Sequence, residues 1–256
     1  MERLERIART LDEAARARVP VRQLAESGEA LTLAEAYGVQ RGLIGLREAR
    51  GERLIGIKMG FTSEAKRAQM QINDLIFGRL TDAMRIAAGG ELSLRRFIHP
   101  RAAPELAFLL AAPLAGAVSE AQARAAIGGV AAALEVVDSR YREFRFALAD
   151  VIADNSSSAA LIVGEWQPLP ANLASLGIRL CCDGAPLETG SAAAIMGDPL
   201  RSLMAAARLA GEAGLTLERG WLVMAGGATA ARPLTAGTRI SVEVESLGSA
   251  HVEVVP

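Results

Sequence analysis

Two glutamates stand inside apolar runs. Glu105 opens Glu-Leu-Ala-Phe-Leu-Leu, and Glu135 lies within Ala-Ala-Ala-Leu-Glu-Val-Val. A carboxylate removed from water needs a cation or a metal beside it. Ligation by oxygen alone suits Mg2+ or Mn2+. A solvent-facing position on an edge strand accounts for either glutamate equally well. Lys58, in Gly-Ile-Lys-Met-Gly, poses the same choice between meeting an anion or moving a proton and simply facing water. The run Asp154-Asn155-Ser156-Ser157-Ser158 reads as a polar turn whose side chains bond to backbone. The two histidines, His99 before Pro100 and His251 near the C-terminus, exclude a multi-histidine metal site and read as loop and surface residues.

Other chemistries are excluded by pattern. No phosphate loop, dinucleotide fingerprint or nucleophile elbow is present, and Gly128-Gly129 and Gly226-Gly227 lack the spacing those motifs need. Cys181 and Cys182 are adjacent, so in a strand they point to opposite faces and do not pair. No zinc spacing occurs. A net charge of -1 and 4% aromatics argue against nucleic acid and anionic membranes as partners. The charged start Met1-Glu2-Arg3-Leu4-Glu5-Arg6 has no apolar signal core, and no apolar run is long enough to span a bilayer, so a cytoplasmic protein is expected.

The elements that must position these residues follow from periodicity and caps. Leu4, Ile7, Ala8, Leu11 and Ala14 share helical spacing. Thr32 to Glu35 forms a capping box that opens a second helix through about Arg50. Residues 1–53 are thus expected to form a helical arm, and 54–256 a catalytic domain. Strands are predicted at 54–61, 105–110, 132–137, 159–163, 178–182, 185–188 and 221–225, with a hairpin over 240–254. Asp183-Gly184 is a two-residue hairpin turn. Ser119 and Asp198 cap further helices, the latter with Pro199 at the first helical position. Strands outnumber helices without alternating with them, which predicts an α+β fold with a mixed, largely antiparallel sheet.

Taken together, the stretches GIKMGFTSEAKRAQM, FGRLTDAM, IHPRAAPELAFLL, ALEVVDSRYREFRF, VIADNSSSAALIVG, AGGATAA and LGSAHVEV resemble the 4-oxalocrotonate decarboxylase and 2-keto-4-pentenoate hydratase group of the fumarylacetoacetate hydrolase-like superfamily. Hydratases of the group are similar to a Pro-Asp-Phe-Gly pattern. Here Leu75-Ile76-Phe77-Gly78 carries Ile76 at the acidic position, which resembles the decarboxylase branch. The resemblance implies metal-dependent decarboxylation of 2-oxohex-3-enedioate to 2-hydroxypenta-2,4-dienoate in the meta-cleavage degradation of aromatics. It implies Mg2+ or Mn2+ on Glu105 and Glu135, with Lys58 catalytic and Asp154, Asn155, Ser157 and Ile76 against the substrate. It also implies a homo-oligomer that associates with a 2-hydroxypentadienoate hydratase.

The sequence departs from the group at Ala103, where a third metal-binding carboxylate is expected, at Asp198 in place of a histidine, and at Ala225 in place of a threonine. The first of these keeps two other functions in view. One is a catalytically weakened homologue that serves as a binding or scaffold subunit. The other is a hydratase or tautomerase acting on a related 2-hydroxydienoate.

Overall fold

A computed structural model describes residues 2–63 and 75–256. The Glu64–Met70 part of the first matching stretch lies outside the described residues. The chain opens with two helices, α1 (Glu2–Ala17) and α2 (Leu33–Glu48), and the predicted Thr32–Glu35 capping box closes in full. Among the described residues thirteen strands follow: β1 (Leu54–Gly60), β2 (Ile76–Thr81), β3 (Arg85–Ile86), β4 (Glu91–Ser93), β5 (Arg101–Leu110), β6 (Ile127–Val137), β7 (Ser158–Val163), β8 (Gly177–Cys182), β9 (Ala185–Ser191), β10 (Leu222–Met224), β11 (Arg232–Pro233), β12 (Arg239–Val244) and β13 (Gly248–Val255). Among the described residues the helices α3 (Glu120–Ala126), α4 (Leu148–Ala153) and α5 (Pro199–Glu212) interrupt them. The turn at Asp183-Gly184 takes positive φ at both residues, as a tight hairpin requires.

Among the described residues the strands form two sheets. The larger runs β2-β1-β10-β5-β6-β7-β3, with β11 added to β5, and the smaller runs β4-β13-β12-β8-β9. Most pairs are antiparallel; β1 with β10, β3 with β7 and β4 with β13 are parallel. The α+β, mixed and largely antiparallel architecture is therefore present. Among the described residues no helix is long and apolar enough to cross a membrane.

Strands β5 and β6 are central, so both of their faces are covered. Ala102, Leu106 and Phe108 from β5, with Ala132, Leu134 and Val136 from β6, point toward the smaller sheet and join one core with Val242, Val252 and Val254. The opposite face of the same strands carries Ala107, Ala131 and Ala133 over Met224 and Leu161. Period-two alternation sends Ala103, Glu105 and Glu135 to this second face. Helices α1 and α2 pack with α4 through Ile7, Leu11, Val39, Leu43 and Ile152. Gln40 of α2 is fully buried and donates from Nε2 to the carbonyls of Phe77 (2.9 Å) and Ile152 (3.2 Å). That side chain ties the N-terminal helices to β2 and α4, which flank the site described next.

Candidate active site

Glu105 and Glu135 are diagonal neighbours across β5 and β6, because Ala103 pairs with Glu135 and Glu105 with Ala133. Neither glutamate faces solvent; they are 1% and 5% exposed. Lys58 arrives from β1 on the same face. The short strand between them, β10, ends at Met224, and this opens the gap through which the lysine reaches. Its Nζ lies 3.0 Å from Glu135 Oε1. The contact is an ion pair without hydrogen-bond alignment, so Glu135 Oε1 and Glu105 Oε1 are both buried polar atoms lacking a hydrogen bond among the described residues.

The remaining oxygen of Glu105 is held from the backbone. Its Oε2 accepts the N–H of Gly226 at 2.9 Å. Gly226 has φ of +108°, and a Cβ there would fall 2.1 Å from Thr62 Oγ1, so only glycine fits. Burial, followed by the charge of Glu135, pushes the Glu105 carboxyl well above the usual carboxylate range, while Lys58 and the Gly226 N–H pull it back.

Pro104 sits mid-strand without costing a ladder bond. Its carbonyl accepts from Ala228 N, so its missing N–H falls on the side where β10 has already ended.

These three groups border a cavity of about 320 Å³. Its lining includes the apolar Ile76, Val137, Phe146 and Val151, together with Thr62, Ser63, Arg101 and Phe144. The floor carries Ser156 and Ser157, held in a left-handed turn with φ of +51°, +56° and +56° at residues 155 to 157. Gly78 lets this turn approach β2, since a Cβ there would meet Asn155 O at 2.5 Å. Three consecutive non-glycine residues in this region are strained, and the strain is fixed by packing beside the cavity.

The structure brings Lys58, Glu105, Glu135, Ala103, Ile76 and Ser157 to one cavity. Asp154 and Asn155, also expected against the substrate, are not among the described residues that line it. Asp154 is fully buried and paired with Arg140, which donates from its guanidinium to both the carboxylate and the carbonyl of Asp154. Burial raises the Asp154 carboxyl to about 6 against the lowering pull of Arg140. Asn155 spans β2, accepting from Arg79 N at 2.7 Å and donating to Arg79 O at 2.8 Å. Both residues build the turn that presents Ser156 and Ser157. His99 is likewise not a lining residue; its Nε2 meets Ser139 O at 2.8 Å, and its ring packs 4.5 Å from that of Phe144.

The sequence reading did not assign Arg101, Ser156, Phe144 or the Gly226 N–H to the site. Only Arg101 left a usable signal, since extending the period of two back from Glu105 through Ala103 reaches it.

The fit to a divalent ion rests on the donors themselves. Among the described residues two hard, buried carboxylate oxygens lack hydrogen bonds, and the two glutamates repel each other with Lys58 paired to Glu135, which is an arrangement a further cation relieves. Among the described residues there is no cluster of three His, Cys, Asp or Glu side chains able to hold a metal. Ala103, paired opposite Glu135, fills the neighbouring position with a methyl group. The site therefore offers two protein ligands, and a bound ion would keep water or take ligand oxygens at its other positions.

The Fumarylacetoacetate (FAA) hydrolase C-terminal family matches residues 53–255, and the chain belongs to that family. Within it, the chain is 48% identical over 247 residues to a 4-oxalocrotonate decarboxylase of Pseudomonas sp, covering 96% of each chain. It is 31% identical over 255 residues to a 2-hydroxyhexa-2,4-dienoate hydratase of Comamonas testosteroni, covering 98% of this chain and 97% of the other. The solved 4-oxalocrotonate decarboxylase from Pseudomonas putida G7, complexed with magnesium and adipate, superposes with a TM-score of 0.95 at 35% identity, covering 99% of this chain and 98% of that one.

Proposed function

We propose that this chain decarboxylates 2-oxohex-3-enedioate to 2-hydroxypenta-2,4-dienoate with the help of Mg2+ or Mn2+, as a step in aromatic degradation. The observation that carries the reading is the pair of buried, unbonded carboxylate oxygens facing a lysine at the end of an apolar cavity. The similarity to a decarboxylase solved with magnesium and a six-carbon dicarboxylate supports it.

In this mechanism Glu105 and Glu135 would hold the ion, and the Gly226 N–H fixes the orientation of Glu105. A bound divalent ion supplies Lewis-acid stabilisation of the charge that develops on the keto oxygen. The bond between C5 and C6 breaks, CO2 leaves from C6, and its electron pair moves through C4 and C3 to the C2 oxygen. One proton is taken up to give the neutral dienol. Lys58 Nζ carries a proton at the same end of the cavity and delivers it to the developing dienolate. Val137, Phe146, Val151 and Ile76 exclude water from the hydrocarbon middle of the substrate and from the leaving carboxylate. Ile76 offers no acid for the addition of water, which weighs against a hydratase.

The reading extends to a cytoplasmic homo-oligomer whose product is consumed by a 2-hydroxypentadienoate hydratase. Ala103 favours a second reading, a weakened homologue that serves as a binding subunit. Incubating the purified chain with Mg2+ and 2-oxohex-3-enedioate separates the two. Release of CO2 well above the buffer rate is expected. Folded protein without turnover, restored by Ala103→Glu, would transfer the case to the weakened homologue. Loss of the dienol absorbance without CO2 would instead indicate a hydratase or tautomerase.

A further inference from the structure

We infer that Arg101 is the specificity-determining residue for the distal carboxylate of the substrate and gives the cavity its preference for dicarboxylates; the inference rests on the reading just proposed. Arg101, Ala103 and Glu105 occupy alternate positions of β5 and so share the cavity face. Arg101 and Glu105 are four residues apart, roughly 13 Å along the strand. An extended six-carbon chain spans about 6 Å between its carboxyl carbons, at about 1.5 Å per bond. The two side chains cover the remaining distance. A ligand whose 2-oxo acid end lies beside Glu105 and Glu135 therefore has its far end within reach of the guanidinium.

Charge and partnering agree with this role. Lys58, the other cation among the described lining residues, is paired with Glu135. Arg101 has no ion pair among the described residues and rests over the ring of Phe144, 4.3 Å from its centroid, with that ring backed by His99. The stack holds a planar donor fork against the cavity, two residues beyond the Ala103–Glu135 pair and four from Glu105. With a divalent ion and both glutamates ionised, Lys58 and Arg101 leave the described lining with two positive charges, which a dianion neutralises. Without Arg101 one charge remains, which suits a monoanion.

The chemistry says what such a contact does and does not do. Negative charge leaves the distal carboxylate as CO2 departs, so a cation resting on that carboxylate favours the bound reactant over the transition state. Arg101 therefore contributes to affinity and to the choice of substrate, and it does not accelerate bond cleavage.

The test is calorimetry on the full chain in MgCl2 with two unreactive six-carbon probes, 2-oxoadipate and 2-oxohexanoate, which differ only in the distal carboxylate. The wild type should bind 2-oxoadipate about 10- to 100-fold more tightly, as a charge-assisted hydrogen bond implies. Arg101→Met should bring the two affinities within about 2-fold by weakening 2-oxoadipate alone, and Arg101→Lys should keep part of the preference. If Arg101→Met keeps the wild-type ratio, or weakens both probes equally, Arg101 is only a brace for Phe144 and the inference fails. Binding of both probes to the wild type without preference overturns it too, and leaves the decarboxylase reading intact. If neither probe binds the wild type, the 2-oxo acid reading fails and this inference falls with it.

Discussion

Replacing Glu105 with Gln tests whether the central carboxylate is kept for a metal at the expense of the protein's own stability. Without metal, Glu105 Oε1 is buried with no hydrogen bond among the described residues, and the carboxyl resists ionisation because of burial and Glu135. In Glu105→Gln the amide oxygen takes the Gly226 N–H, and the amide nitrogen faces Glu135 as a donor. Relieving one unpartnered buried oxygen is worth about 1–3 kcal/mol. For a chain of this length that raises the metal-free Tm by roughly 2–10 °C at pH above the folded pKa, where wild-type Glu105 is ionised. The sign with pH follows from the same carboxyl. Its folded pKa lies above the unfolded value, so its stabilising contribution is complete below pH about 4.5 and is lost as pH rises through the folded pKa. Wild-type metal-free protein should therefore lose stability over that interval, and Glu105→Gln should lack this component of the slope. Magnesium reverses the ranking. At 100 times Kd it should stabilise the wild type by about 2.7 kcal/mol and the variant by far less. The assay is thermal melting of both proteins from pH 4 to pH 8, with chelator and with Mg2+. A metal-free variant that melts below wild type, or one that keeps the whole magnesium shift, would refute the reasoning.

Other perturbations probe the neighbouring groups. Lys58→Met should lower kcat by about 10²- to 10⁴-fold, the range for a lost proton-transfer group, as read by steady-state CO2 release; an unchanged kcat would remove the lysine from the chemistry. Asp154→Asn should cost about 3–5 kcal/mol in denaturant unfolding, because it leaves the buried Arg140 without its counter-charge. The same variant, where folded, should bind 2-oxoadipate nearly as wild type does, since Asp154 does not line the cavity. Gly226→Ala should destabilise by about 1–3 kcal/mol through the clash with Thr62, and it should weaken magnesium binding by displacing the N–H from Glu105; calorimetric titration with Mg2+ reads the second effect.

Local pattern was enough for most elements, because caps, turns and alternation act over a few residues. The Thr32–Glu35 and Ser119–Gln122 boxes, the Asp198-Pro199 helix start and the Asp183-Gly184 turn all form as their chemistry dictates. The α+β class followed from the order of strands and helices. The unusual composition of the site was legible too: Glu105, Glu135 and Lys58 stood out because charged groups interrupt apolar runs.

Tertiary structure alone decided what those groups meet. Whether a glutamate in a strand is edge-exposed or buried depends on which strands lie on either side, and β5 and β6 are central only because β10 and β7 pair beyond them. The register of Ala103 against Glu135 made the carboxylates diagonal neighbours, and the early end of β10 let Lys58 and Gly226 reach them. Asp154 and Asn155 have the residue types of ligand contacts, yet a left-handed turn points them into the interior and leaves the cavity to Ser156 and Ser157. A sequence specifies its periods locally. The convergence of residues far apart in the chain is fixed by sheet order, register and strand length, which are properties of the whole fold.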